Sequence, residues 1–378
     1  ATGSCGVRRD AYACVTKQEM PVKVLIADKF EKSGLDALAA LGCTLVNEPG
    51  IGSDKIGPAL AASGAEVLIV RSTKVPKAAI EQGSALRLII RAGAGVDNID
   101  TPAATSRQVA VCNCPGMNAV AVAELTIGLL LCCDRRIPDQ TADLRLNKQW
   151  NKKEYSTKSK GLKGLALGVV GVGAIGQEVI RRAVAFGMNV VAWSRGITPQ
   201  HAAALNCEFG GTDTPALLAL ARRCDAITVH LPAAPTTSKL FGAEFFSAMK
   251  PGAYFINTSR GSVVDEAALR SAIKEKGLRA GLDVFEGAPA EAQAQWDCPT
   301  ASLPGVYCTH HIGASTRRRT PWPRRPSASC GSIKPRSDSS TASTPKGWNR
   351  PAGKGRAWRK ESRPGTHGSK IVEARSYP

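Results

Sequence analysis

A chain of 378 residues is long enough for two domains with separate cores, and 43% hydrophobic with 21% charged residues is an ordinary globular balance. No uncharged apolar run reaches the roughly 18 residues of a membrane span, and Ala1–Glu19 lacks the apolar segment of a secretory leader, so a soluble, cytoplasmic chain is expected. The net charge of +19 is concentrated: residues 317–378 carry 16 Lys and Arg against 3 Asp and Glu, whereas the preceding residues carry 34 against 28.

Met20 and the apolar run after it read as the natural start of the fold, which leaves residues 1–20 as an extension. Runs at Val22–Asp28, Ala65–Arg71, Leu86–Ala92 and Val109–Asn113 are short, β-branched and bounded by Gly, Pro or Asp. They read as strands, and Ser33–Leu41, closed by Gly42, reads as a crossover helix. A long apolar helix, Ala119–Cys133, leads into a polar stretch, 135–163. A second series follows, with strands at Leu165–Val170, Asn189–Trp193, Ala226–His230, Ala253–Asn257, Ala280–Phe285 and Val306–Thr309. Repetition of strand and helix in two blocks predicts an α/β protein of two lobes with parallel sheets. From Arg317 the text contains no Leu, Phe or Met, and such a segment is expected to be disordered. The 12 cysteines include no C-x-x-C pair and read as reduced, mostly apolar-segment thiols, so no metal site is expected.

The strongest local signal is Gly171-Val172-Gly173-Ala174-Ile175-Gly176, set between a strand and the helical pattern Ala174–Phe186. Glycines at this spacing allow a tight turn, approach of a diphosphate to backbone N–H groups, and close packing of helix on strand. The next strand should end in a carboxylate that binds a ribose 2′-hydroxyl. It ends in Ser194-Arg195, which suits a 2′-phosphate and tilts the expected cofactor from NAD toward NADP or toward use of both.

Three later strand ends carry the residues a hydride-transfer site needs. Arg260, in Asn257-Thr258-Ser259-Arg260-Gly261, offers a fork for a carboxylate and an adjacent oxo group. Asp283 ends the next strand, and His310-His311-Ile312-Gly313 follows the last one. An imidazole is the natural proton carrier for a hydroxyl losing hydride from its carbon.

With these residues in order, the chain resembles the D-2-hydroxyacid dehydrogenase family from about Met20 to Thr316. The likeness is carried by Arg71-Ser72-Thr73-Lys74-Val75, Arg91-Ala92-Gly93-Ala94-Gly95-Val96-Asp97-Asn98-Ile99-Asp100, Pro115-Gly116-Met117-Asn118, Val122-Ala123-Glu124, the glycine loop, His230-Leu231-Pro232, the Arg260 block and the His311 block. It implies that Arg260 and His311 are catalytic and that the amides of Ala94, Gly95 and Val96 receive the substrate carboxylate. It implies further that His230, Pro232, Thr258, Asp283 and Gly313 line the cofactor, with Asp283 on the nicotinamide carboxamide. Arg71-Ser72 and Arg135 resemble segments of the phosphoglycerate dehydrogenases of serine biosynthesis, where such basic residues meet the substrate phosphate, either within one subunit or from its neighbour. The resemblance assigns 21–117 to a substrate lobe, 118–304 to a nucleotide lobe inserted into it, 305–316 to a returning histidine block and 317–378 to an atypical tail. A homodimer around Ala119–Cys133 is implied as well.

Two departures matter. The family pairs its histidine with a glutamate five residues after the strand-end aspartate, where this chain has Ala288; Glu286 and Glu291 are the nearby carboxylates. Beyond Thr316 the family continues in an apolar helix, whereas Arg317 opens Pro-rich text of the kind a shifted reading frame produces. The expected activity is interconversion of a 2-hydroxy and a 2-oxo acid, 3-phosphoglycerate first and glyoxylate or hydroxypyruvate second. A catalytically impaired dinucleotide-binding scaffold is the other alternative. Nucleic-acid binding through the tail is not expected, because a solvated charge run accounts for the same residues.

Overall fold

Strands buried on both faces must be apolar throughout, and the Val-, Ile- and Leu-rich runs meet that requirement in two successive sheets. The computed structural model describes residues 21–289 and 293–316. Its first series runs β1 (Lys23–Ile26), α1 (Lys32–Ala40), β2 (Thr44–Asn47), α2 (Ile56–Ser63), β3 (Val67–Val70), α3 (Lys77–Gln82), β4 (Leu88–Arg91), α4 (Thr101–Ser106) and β5 (Ala110–Asn113). These strands are all parallel, in the order β2-β1-β3-β4-β5. Leu25, Leu68, Val70 and Ile89 pack with Ile56 and Leu60 of α2, Ile80 of α3 and Ala103 and Ala104 of α4. Val24, Ile26 and Ile69 lie on the other face with Leu35 and Leu38 of α1.

The second series opens with α5 (Ala119–Arg135), α6 (Ile137–Ala142), a π-helical turn (Asp143–Asn147) and α7 (Lys152–Ser156). It continues through β6 (Ala166–Val170), α8 (Ala174–Ala185), β7 (Asn189–Trp193), α9 (Pro199–Ala204), β8 (Glu208–Phe209), α10 (Thr214–Arg223) and β9 (Ala226–Val229). It closes with α11 (Ala243–Ala248), β10 (Tyr254–Asn257), α12 (Glu266–Lys276), β11 (Arg279–Leu282) and β12 (Val306–Cys308). The strand order is β12-β11-β10-β9-β6-β7-β8, again parallel throughout. One face buries the aromatic group Phe241, Phe245, Phe246 and Phe255; the other buries Ile127, Leu129 and Leu130 of α5 with Val179 and Ile180 of α8. Between β6 and β9 the direction of winding reverses. The loops after these two strands part there and leave a crevice at their C-terminal ends.

Although α5 precedes β6, it packs on the second sheet, and its last turn is fixed by Asp134, which is buried. That carboxylate accepts from the N–H groups of Lys160 and Gly161 and from the Tyr254 hydroxyl. The stretch 135–163, polar in sequence, still forms α6, α7 and the π turn, held by Arg136 between Asp139 and Glu154. Edge strands β2 and β8 escaped the sequence reading because they are short and partly polar. No described helix is long and apolar enough to cross a membrane. Among the described residues no group of His, Cys, Asp and Glu is arranged to hold a metal ion. The expected extension at 1–20, the tail and any segment returning to the first lobe lie outside the described residues.

Candidate active site

The turn from β6 to α8 is built for contact with a ligand. Gly171 has φ of 100°, and a Cβ there would collide with the His230 carbonyl oxygen. A Cβ at Gly176 would collide with the carbonyl oxygen of Gly171, so α8 starts in direct contact with the loop. At Gly173, by contrast, a Cβ would meet nothing within 4 Å. Among the described residues no side chain caps α8 and no acidic residue stands in its first turn, which leaves the amides of Ala174 and Ile175 unbonded with partial positive charge.

His230, just after β9, borders this loop. Its Nε2 lies 3.0 Å from the Thr228 hydroxyl, and its Nδ1 is buried with no partner. Burial pushes its pKa down to about 3, so the ring is neutral at pH 7. The Pro232 carbonyl accepts from the Thr237 hydroxyl at 2.8 Å, which fixes the loop beyond. Across the crevice Ser194 follows β7, and Arg195 Nη1 donates to the Thr236 hydroxyl at 3.1 Å. An open helix N-terminus, an unpartnered buried ring nitrogen and an oriented guanidinium fit a dinucleotide.

A second group gathers beyond the ends of β3, β4, β10, β11 and β12. Asn257, buried at the end of β10, shapes the Arg260 loop: its Oδ1 accepts from the Ser259 N–H at 2.9 Å and hydroxyl at 2.7 Å, and its Nδ2 donates to the Arg260 carbonyl at 2.8 Å. Arg260 Nε donates to Asp97 Oδ2 at 2.6 Å and Nη1 to the Ser259 carbonyl at 2.7 Å. A Cβ on Gly95 would strike Arg260 Nη2, so the glycine lets the guanidinium lie against the 94–96 backbone. Among the described residues nothing accepts from the amides of Ala94, Gly95 or Val96, while the Ala94 carbonyl is held by Asn113 Nδ2 at 2.6 Å.

Two arginines stand beside this pair. Arg91, the last residue of β4, has a buried Nε with no partner, and burial followed by the nearby Arg260 charge lowers its pKa. Arg71 starts the loop after β3. The Asp28 carboxylate anchors that loop, accepting from the N–H groups of Arg71, Ser72 and Thr73 and from the hydroxyls of Ser72 and Thr73. Burial alone would raise the Asp28 pKa, but these bonds outweigh it and hold the carboxyl below the usual range. The Ser72 hydroxyl hydrogen is therefore committed to Asp28.

Asp283 is buried, and its carboxylate secures the histidine loop. It accepts from the Thr309 hydroxyl at 2.6 Å and from the N–H groups of Ile312 and Gly313, each at 2.9 Å. Its own carbonyl accepts from the His311 N–H at 2.9 Å. His311 takes φ of 53°, a left-handed conformation that these four bonds impose. Desolvation lowers the imidazole pKa; Asp283 opposes that shift, and Arg260 and Arg91 add to it. Neither a hydrogen bond nor an ion pair reaches the ring from the described residues. Glu286 is turned away: its carboxylate lies 3.7 Å from Lys239 Nζ, while Glu291 is outside the described residues.

The expected residues divide accordingly. Gly171, Gly173, Ala174, Ile175, Gly176, Ser194, Arg195, His230 and Pro232 surround the β6–β9 crevice. Arg71, Ala94–Val96, Arg260, Asp283, His311 and Gly313 form the adjoining group. Thr258 reaches α5, its hydroxyl 2.9 Å from that of Thr126. Arg135 does not join them. It ends α5, whose N-terminal half borders the site, and 16 residues of helix rise about 24 Å. Its neighbour Asp134 meets Tyr254 at the start of β10, the opposite edge of the sheet. Arg91, Asn257, Asp97 and Asp28 had no assigned role in the sequence reading. A basic residue ending a strand before a glycine loop was the available signal for Arg91.

Residues 127–313 match the family profile described as the D-isomer specific 2-hydroxyacid dehydrogenase, NAD binding domain. The D-3-phosphoglycerate dehydrogenase of Methanocaldococcus jannaschii is 39% identical over 297 residues, 78% of this chain and 54% of that protein. The chain thus spans about half the length of such relatives. The hydroxypyruvate reductase of Thermotoga maritima is 41% identical over 253 residues, 66% of this chain and 78% of that protein. Among solved structures, the TT0316 protein of Thermus thermophilus superposes with a TM-score of 0.67 and 31% identity, covering 78% of this chain and 91% of that one. The glycine cradle, the Arg260–His311 grouping and these likenesses agree, and the chain belongs to the D-isomer specific 2-hydroxyacid dehydrogenase family.

Proposed function

We propose that the protein interconverts a D-2-hydroxy acid and its 2-oxo acid with a nicotinamide dinucleotide, and that 3-phosphoglycerate is its substrate. The observation that carries the substrate is the convergence of Arg71, Arg91 and Arg260, with a buried Arg91 Nε lacking a partner. One guanidinium and the 94–96 amides suffice for a carboxylate; two further cations match a second anionic group. The phosphoglycerate dehydrogenases among the relatives support the same choice.

The dinucleotide would lie with its diphosphate on the Gly171–Gly176 loop and its ribose toward Ser194 and Arg195, and when bound it supplies the hydride acceptor. Arg260 holds the substrate carboxylate and stabilises negative charge on the oxygen as it becomes an oxo group. His311, neutral at pH 7 because its pKa is lowered, takes the hydroxyl proton. In reduction it must first be protonated, and among the described residues no carboxylate bonds the ring to stabilise that state. Arg195, oriented by Thr236, favours a 2′-phosphate and therefore NADP. This same feature, with the hydroxypyruvate reductase likeness, supports reduction of hydroxypyruvate or glyoxylate as the second reading.

A homodimer belongs to the proposal. Ile137, Leu144, Leu146 and Trp150 are exposed beyond α5, and Arg135 enters a site of this kind only from a second copy. The test is absorbance of reduced nicotinamide, with 3-phosphoglycerate or hydroxypyruvate and either cofactor. Turnover abolished by His311→Ala is expected. Arg91→Ala should raise KM for 3-phosphoglycerate at least ~10-fold and leave that for glyoxylate within ~2-fold. Equal effects on both would remove the phosphate assignment.

A further inference from the structure

Arginine side chains are long and have many rotamers, and Arg260 extends toward Arg91, whose like charge repels it. Among the described residues the carboxylate that holds it is Asp97, at 2.6 Å from Nε. Asp97 belongs to the loop after β4, whereas Arg260 follows β10, so the pair ties the first sheet to the second. Its turn is itself fixed. Asn98 Nδ2 donates to the Thr73 carbonyl at 2.8 Å, the Asn98 carbonyl accepts from the Val75 N–H, and the Ile99 N–H donates to the Val96 carbonyl. Because Asp97 takes Nε and the Ser259 carbonyl takes Nη1, Nη2 is left lying against Gly95.

We propose that Asp97 is a positioning residue, which fixes the Arg260 guanidinium so that Nη2 and the 94–96 amides point at one substrate carboxylate. This rests on the reading of Arg260 as substrate anchor. The carboxylate of Asp97 is about half exposed, and an ion pair in that setting contributes little to folding. Its effect belongs to ligand binding. A purely electrostatic role predicts the opposite sign, since removing a negative charge from a cationic site tightens anion binding.

The test is calorimetric titration of oxamate, an isostere of a 2-oxo acid, into the full chain saturated with reduced dinucleotide. Asp97→Ala should weaken oxamate binding by at least ~10-fold, Asp97→Asn less, with dinucleotide affinity and unfolding midpoint unchanged. In an Arg260→Ala background, Asp97→Ala should have no further effect, because a residue acting through another shows full coupling in a double-mutant cycle. Tighter or unchanged oxamate binding in Asp97→Ala overturns the proposal, as does an additive loss in the double variant. If Arg260→Ala itself leaves oxamate binding intact, the anchor reading is what fails.

Discussion

At the scale of single residues, the proposed proton transfer rests on an imidazole with unusual surroundings. Desolvation and two guanidiniums keep the His311 pKa below its ordinary value of 6.5, so the neutral form persists to lower pH. In the oxidative direction kcat/KM should stay level as pH falls through neutrality and drop only below pH 6.5. Ala288→Glu supplies the missing carboxylate, which stabilises the imidazolium. It should therefore move that acid limb to higher pH and raise the reductive rate by about 10-fold or more, read from pH–rate profiles. An unmoved limb would show that residue 288 does not face the ring. His230 gives a stability prediction of the same kind. Its folded pKa of about 3 lies under the unfolded 6.5, so the unfolded state binds the proton first. Stability should fall as pH drops from about 6.5 toward 3, by up to ~1.4 kcal/mol per unit, and His230→Gln should flatten that slope in urea titrations.

Elements, rather than side chains, carry the dinucleotide cradle. Because any Cβ at Gly176 meets the Gly171 carbonyl, Gly176→Ala must push α8 off its loop. Dinucleotide affinity should fall by at least ~100-fold, with ~2 kcal/mol of stability lost, measurable by fluorescence titration and denaturation. This part of the fold was readable in advance, since strand, glycines and helix are contiguous and Gly171 and Gly176 each answer a local steric demand. Arg260, Asp283 and His311 were readable because each sits just past a strand end in one parallel sheet. Arg91, Asp97, Asn257 and Asp28 were not. Asp28 and Asp97 act through pairings with Arg71–Thr73 and with Arg260, across long sequence separations that no local pattern records, whereas Asn257 shapes its own loop through Ser259 and Arg260. The helices of 135–163 were missed for a related reason: their order comes from the Arg136 ion pairs and the Asp134 anchor rather than from an apolar stripe.

On the scale of the whole described molecule, two parallel sheets each bury both faces, and the site draws on loops from both. Occupancy of the crevice should then stabilise the folded chain by mass action. Dinucleotide at 100 times its Kd should add ~2.7 kcal/mol to unfolding, and in Gly176→Ala the same concentration should add almost nothing. Either cofactor can be ranked this way without turnover, and a larger increment from NADP at equal concentration is what the role proposed for Arg195 predicts.

The histidine loop closes inward. Four of the bonds that shape it run from residues 309–313 back to Asp283, and the Thr309 N–H donates to the Leu282 carbonyl beside it. One carboxylate at the end of β11 therefore anchors the backbone beneath the imidazole, so a shift of that strand carries the histidine with it.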